Sequence, residues 1–436
     1  MKISKKYYII LLAISVTVFT SCELDGGESL NGASTNSISD DLSRGELPSA
    51  VAGVLSAMRT RLDNQVDVQS IFGREYYYFT SSDPRFEGDV VAGNLDNNTF
   101  YTTSPYLSRY AVIKDINLTL QGLENTTDIF SDEEVAGIKG VLNTLKAHEL
   151  LMVSNNQYTN GMRIDTSDPD NLGPFVTYED ALIAISDLLS TAAIDLVNAG
   201  GSFAFDLTTG YSGFNTPSDF LKFNKGLNAR VESYRGNYTS VLSLLDDSFM
   251  EMNGDFYDGV YHTFSLSGAD TPNPLYLALN QTSNVRVSHS SFVDDALPLD
   301  SRVDKVVLRN DPIEATGLVG EYDVFIYQSN VDMVPIMRNE ELVLLYAEAN
   351  MVSNPSEAVM AINAIRNEAG LGSYSGALTP QALEDEILFQ RRYSLFGEGH
   401  RWVDMRRFDR LDELPNDRTT DSVPIAVPIP ANENQQ

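Results

Sequence analysis

Few residues in this sequence have the type and spacing for covalent or metal chemistry. His148 and Glu149 stand together in KAHELLMV, the opening of the H-E-x-x-H pattern that sets two imidazoles on one helical face to hold zinc. Position 152 is Met, so the second imidazole is missing and no zinc site results. The other histidines, His262, His289 and His400, are scattered. DTSDPDN (165–171) starts like a calcium loop, but Pro169 stands where an oxygen ligand belongs and Asp170 where the sharp turn needs glycine. It reads as a solvated acidic turn. There is no G-x-S-x-G nucleophile elbow and no glycine-rich loop for a phosphate. With 61 acidic residues, a chance carboxylate pair is expected, so counting alone identifies no glycosidase pair. The residues call for no metal and no cofactor.

The most concentrated chemistry lies in FQRRYSLFGEGHRWVDMRRFDR (389–410). It gathers six arginines (Arg391, Arg392, Arg401, Arg406, Arg407 and Arg410) and the only tryptophan, in a chain of formal charge −31. Such a cluster is either a site for an acidic ligand or a folding device. The overall charge excludes a nucleic-acid partner, because no basic face is available to displace counterions from phosphates. It equally excludes electrostatic adhesion to an anionic bilayer.

Positioning these residues falls to helices. The chain has 436 residues, 42% of them hydrophobic, enough for a large core. Leu47, Val51, Leu55, Met58 and Leu62 recur at helical spacing, as do Ile113, Ile116, Leu120 and Leu123 within 109–124. Ser131 and Glu134 have capping-box spacing, and Thr177 with Asp180 is a weaker form of it. Residues 217–247 read as two helices joined near Gly236. Residues 339–371 read as another pair, the second opening on Asn354-Pro355 and stopping at Gly370. Repeated helix pairs with short connectors predict a mainly α fold, a tetratricopeptide-like solenoid with short strands. Two stretches break the pattern, 65–106 and 249–335. Both are turn-rich, and segments of that length inside a domain are often functional.

The N-terminus has its own logic. Lys2, Lys5 and Lys6 precede an apolar run, Tyr7–Phe19, too short for a membrane span. Thr20 and Ser21 lead to Cys22, the only cysteine. Residues 1–21 read as a signal peptide, and the junction resembles a lipobox in which Cys22 is acylated. Residues 22–46, rich in Gly, Ser, Asn and Asp, are expected to be a flexible tether ahead of a domain spanning 47–436.

The arginine-rich stretch resembles the C-terminal signature of the SusD/RagB family of outer-membrane nutrient-binding lipoproteins, approximately E-R-x-x-E-L-x-x-E-G-x-R-W-x-D-L-x-R. Arg391, Leu395, Glu398, Gly399, Arg401, Trp402, Asp404 and Arg407 match it. Gln390 and Ser394 replace two glutamates, and Met405 a leucine. LLYAEANM with INAIRNEAGL, LNARVESYRGNY and PIAVPIPANE resemble other family segments, in order. By this resemblance the cluster is structural: Trp402 is buried, and Glu398 and Asp404 are partners for Arg401 and Arg407. The resemblance further implies a non-enzymatic lipoprotein on the outer face of the outer membrane, facing the cell exterior. Such a protein captures oligosaccharide, or in some members peptide, and delivers it to a partner SusC-like TonB-dependent transporter. A surface glycosidase is a remote alternative.

Sugar capture needs aromatic faces and side chains that hydrogen-bond hydroxyls. With its one Trp committed to the signature, the chain must use Tyr and Phe. The two irregular stretches supply Phe86, Asn97, Asn98, Tyr101 and Tyr106 in one, and Tyr276, Asn280 and Arg286 in the other. These eight are the expected ligand contacts.

Overall fold

The computed structural model describes residues 35–435 other than 128, 169 and 269. Residues 1–34, including Cys22 and the signal-peptide region, lie outside the described residues. The chain enters through helix α1 (Thr35–Asp40), and Leu42 behind it is fully buried, its N–H donating to Gly122 O at 3.3 Å. Packing therefore begins well before Leu47, and the later part of the expected tether belongs to the core.

Helices α2 (Leu47–Ala57) and α3 (Leu62–Phe72) follow, separated where Arg61 takes a left-handed φ of 56°. Strand β1 (Tyr76–Thr80) and a π-helical turn (Phe86–Val90) lead to α4 (Phe100–Asn125) and α5 (Asp132–Gln157). The α5 start is the expected capping box: Ser131 Oγ accepts the Glu134 N–H, and Glu134 Oε2 accepts the Ser131 N–H at 2.8 Å. Next come α6 (Tyr178–Val197), α7 (Pro217–Tyr234) and α8 (Tyr238–Asp246). Ala181, Leu182, Ile185, Leu189, Ala192 and Leu196 form one stripe of α6, and all are buried. Each of Leu182, Ile185 and Leu189 contributes roughly 1.5–3 kcal/mol by leaving water.

Strands β2 (Gly259–His262), β3 (Asn284–Ser288), β4 (Val306–Ala315), β5 (Leu318–Val324) and β6 (Val334–Arg338) precede the last helices. These are α9 (Asn339–Asn350), α10 (Pro355–Glu368), α11 (Pro380–Ser394) and α12 (Arg401–Arg407). Helices α4 to α8 pack each on its chain neighbour, α9 joins α8 to α10 and α11, and one apolar core runs from Leu42 to Val427. The architecture is the expected mainly α helix-pair solenoid.

The irregular stretches depart from expectation. Residues 62–72 are helical and 100–108 extend α4, so the first insertion shrinks to about Gly73–Thr99. Helix α3 shows no apolar stripe because it is buried on all sides, polar residues included. Gln65 Nε2 donates to Met152 O at 3.1 Å, and Gln69 Nε2 to Asn156 Oδ1 at 3.0 Å. The two insertions also meet. β1 pairs with β3, Tyr78 opposite Arg286, in an antiparallel sheet of order β1-β3-β5-β4.

The Arg286 fork bonds Asp67 of α3 through Nε–Oδ1 at 2.6 Å and Nη2–Oδ2 at 2.8 Å, both residues buried. Its guanidinium lies 4.7 Å from the Tyr78 ring centroid and also donates to Leu275 O. Arg286 is thus a clasp between helix, sheet and loop. Arg286→Ala should cost about 3–5 kcal/mol in chemical unfolding, because it strands the Asp67 carboxylate in the interior. A loss under about 1 kcal/mol would contradict that role.

Candidate functional site

A groove opens beside β2. Its two adjoining hollows, of about 550 and 360 Å³, share Tyr257, Tyr261 and Met333. Tyr257 is 68% exposed and is the one aromatic side chain in the described residues that stands so far out of the surface; Met333 is 47% exposed.

Local backbone chemistry sets this ring out. Asp255 Oδ1 accepts the Tyr257 N–H at 2.8 Å, an Asx turn that holds the chain away from the core before β2 begins. β2 then alternates, with Val260 and His262 inward and Tyr261 outward. Its partner β6 carries an extra residue opposite the Val260–Tyr261 step, a bulge of the kind that re-aims a side chain. Gly259 is required there, since a Cβ would lie 2.2 Å from Met337 O. The Tyr261 hydroxyl donates to Tyr257 O, joining the two residues. Burial raises its pKa, so it stays protonated.

The floor of the groove is electrostatic. Arg338, buried at the end of β6, is paired with Glu340 and with Glu398, the latter at 2.8 Å, and donates to Ser394 O. Its guanidinium lies 5.7 Å from the Tyr257 ring centroid. Lys305 donates to Tyr393 O at 2.8 Å and to Ser394 O, and burial pushes its ammonium down to about 8. Arg302 is held by Asp300 at 2.9 and 2.7 Å and reaches Ser394 Oγ at 3.0 Å. Ser394, one of the departures from the signature, is thus the hub on which three cations converge.

The signature supports this floor from behind. Glu398 serves Arg338, a correction to the expected pairing with Arg401, which instead donates to Gly73 O at 2.9 Å. The expected Asp404–Arg407 pair is present at 3.0 Å. Asp404 also binds Arg391 at 2.7 Å, and Arg407 grips Glu348 through two bonds of 2.8 and 2.9 Å. Trp402 is 0% exposed, 5.0 Å from Phe72, with Nε1–H donating to Pro424 O at 2.9 Å. Gly399 has φ +81° and lies against Gln69, where a Cβ would meet Oε1 at 2.4 Å. Gln390, the other departure, bonds Glu386 at 2.8 Å.

The eight expected ligand contacts do not form one surface. Phe86, Tyr101, Tyr106 and Arg286 are buried. Phe86 lies 4.9 Å from Tyr78, Tyr101 donates to Asp89 at 3.1 Å, and Tyr106 lies 4.7 Å from Tyr110, all interior contacts. These four are corrected to structural residues: the β1–β3 sheet and α4 close over the rings. Asn97 and Asn98 are exposed in the turn before α4. Asn280 is exposed, its Oδ1 accepting the Asn310 N–H at 2.8 Å. Half-buried Tyr276 packs on the apolar cluster containing Tyr327, whose ring lines the groove. Tyr257 and Tyr261 lie in one of the two irregular stretches, 249–335, but were not among the expected contacts. Their signal was an aspartate turn followed by a short alternating strand with Tyr on its outward phase.

With the geometry described, known proteins can be set beside it. Residues 327–428 match the model of the SusD family. That C-terminal segment, which holds the arginine-rich stretch, is similar to the SusD family. A relative described as SusD-like protein P38 of Formosa agariphila is 34% identical over 88 residues, a match spanning 18% of this chain and 18% of that one. A SusD superfamily protein of Bacteroides vulgatus superposes with a TM-score of 0.68 at 16% identity, covering 90% of this chain and 96% of its own. A laminarin-binding SusD-like protein gives 0.68 at 17%, covering 90% and 97%. Surface glycan-binding protein A of Bacteroides thetaiotaomicron gives 0.66 at 13%, covering 89% and 96%. At these identities the superpositions show a shared fold. Among the described residues, no helix is long and apolar enough to cross a membrane, and no cluster of His, Cys, Asp and Glu is arranged to hold a metal.

Glu75 offers a test of how the signature loop is held. Its Oε1 accepts the Gly397 N–H at 3.1 Å, and burial raises its carboxyl to about 7, against the pull of that N–H and of Arg401. A folded-state pKa above the unfolded one means that the folded state binds the extra proton, so stability present below about pH 4.5 is lost as pH rises through 7. Relative to Glu75→Gln, the wild type should lose up to about 3 kcal/mol across that window. Parallel unfolding curves for the two proteins at every pH would refute it.

Proposed function

We propose that this protein is a non-enzymatic, cell-surface glycan-binding lipoprotein. It holds an oligosaccharide across Tyr257, Tyr261 and Met333 and passes it to a SusC-like TonB-dependent transporter in the outer membrane. Acylation at Cys22 would anchor it, the sequence of residues 2–22 being the support for that step. The observation that carries the binding role is the Tyr257 ring, the most exposed aromatic side chain among the described residues, standing over a groove. An exposed aromatic face over a groove can stack on the apolar side of a sugar ring. The laminarin-binding and surface glycan-binding proteins of the same fold favour a glycan over the peptide alternative.

The test is isothermal titration with the tightest binder from a glycan array. Tyr257→Ala should weaken binding by 1–2 kcal/mol, about tenfold, with an unchanged melting temperature, and Tyr257→Phe should weaken it less. Chromatography of the incubated ligand should return it uncut. Unchanged affinity in Tyr257→Ala, capture of peptides but no glycan, or shortened products would each defeat the proposal.

A further inference from the structure

The groove has a one-sided hydrogen-bonding inventory, and it bears on which glycans can enter. The cations at its floor are all engaged. Arg302 is bound to Asp300 and Ser394, Arg338 to Glu340 and Glu398, and Lys305 to two backbone carbonyls. Lys222, at the outer edge of the larger hollow, is bridged to Asp219 at 3.0 Å. The acceptors are not spent. Glu251 and Asp258 line the larger hollow and Asp304 the smaller; all three are exposed, and none of their carboxylates has a hydrogen-bond or ion-pair partner among the described residues. Exposed Gln328 adds a free amide at the smaller hollow.

From this balance we infer that the groove selects uncharged, hydroxyl-rich glycans and rejects those bearing uronate or sulfate groups. The inference rests on the glycan-binding reading of this groove and adds its charge rule. A hydroxyl donates to a carboxylate in a charge-assisted bond, which Glu251, Asp258 and Asp304 can each accept. An anionic substituent in the same place meets like charges, while on the floor Arg302 and Arg338 are already ion-paired and Lys305 is held by two carbonyls. Arg302 and Arg338 could turn to it only by loosening their bonds to carboxylates, which leaves those groups unpaired, and Lys305 keeps at most one donor beyond its two carbonyl bonds. Carboxylates lining a partly enclosed groove also act across several ångströms of poorly screened space.

The test uses the detergent-solubilised full chain on an array printed with neutral, uronate-bearing and sulfated forms of the same oligosaccharide backbones, at low and physiological salt. Affinity should be at least about tenfold higher for the neutral form of any bound backbone, with the gap narrowing as salt screens it. In the double variant Asp258→Asn/Asp304→Asn, the ratio of neutral to sulfated affinity should fall severalfold, with circular dichroism confirming the fold. Comparable binding of neutral and sulfated forms, both lost in Tyr257→Ala, would overturn the charge rule while leaving the groove as the glycan site. Binding of any form that Tyr257→Ala leaves intact, or binding of no glycan at all, would overturn the underlying reading and the rule with it.

Discussion

Arg338 is the joint on which the site depends. A buried guanidinium is tolerable only when carboxylates and carbonyls replace its hydration shell. Here the replacements come from three places: Glu340 at the start of α9, Ser394 O at the end of α11, and Glu398 in the glycine-flanked loop before α12. The group they hold lies beneath the Tyr257 ring. Solenoid, signature and groove therefore share one charged centre. On the proposed reading, Glu398 would matter to a ligand it need not touch, because it keeps Arg338 seated.

This answers why so acidic a chain concentrates its arginines near the C-terminus. Within the signature, Arg391, Arg406 and Arg407 point into the protein, toward Asp404, Glu348 and the carbonyls of Asn155 and Ile425. Elsewhere Arg109 meets Glu149, Arg230 meets Glu341 and Arg286 meets Asp67, all buried. Inward pairing uses up cations in a chain that has only 30 of them against 61 acids. Many of the remaining acids face water, Glu251, Asp258 and Asp304 of the groove among them.

Much of the helical scaffold was legible because local rules and global packing agree there. Ser131 caps α5, Gly236 separates α7 from α8, and Asn354-Pro355 opens α10, although the Asn354 side chain makes no cap bond. Helix α3 was illegible for a physical reason: a helix buried on every side has no stripe, and its polar residues find partners such as Asn156 and Arg286 that are distant in sequence. The aromatic candidates failed similarly. Whether Phe86 or Tyr101 faces water depends on whether β1 pairs with β3, a contact between segments about 200 residues apart that no local pattern encodes. Tyr257 was closer to legible, since its turn and strand are local, but its exposure depends on β6 lying alongside β2.

The claim that the signature supports the groove through Arg338 is tested most directly by a double-mutant cycle on glycan affinity, using Glu398→Gln, Tyr257→Ala and the two combined. If Glu398 acts by seating Arg338 beneath the ring, its substitution should weaken binding in the wild type and have little further effect once the ring is gone. The coupling energy should exceed about 0.5 kcal/mol. Losses that simply add would mean that the signature and the groove are independent, and would contradict the account.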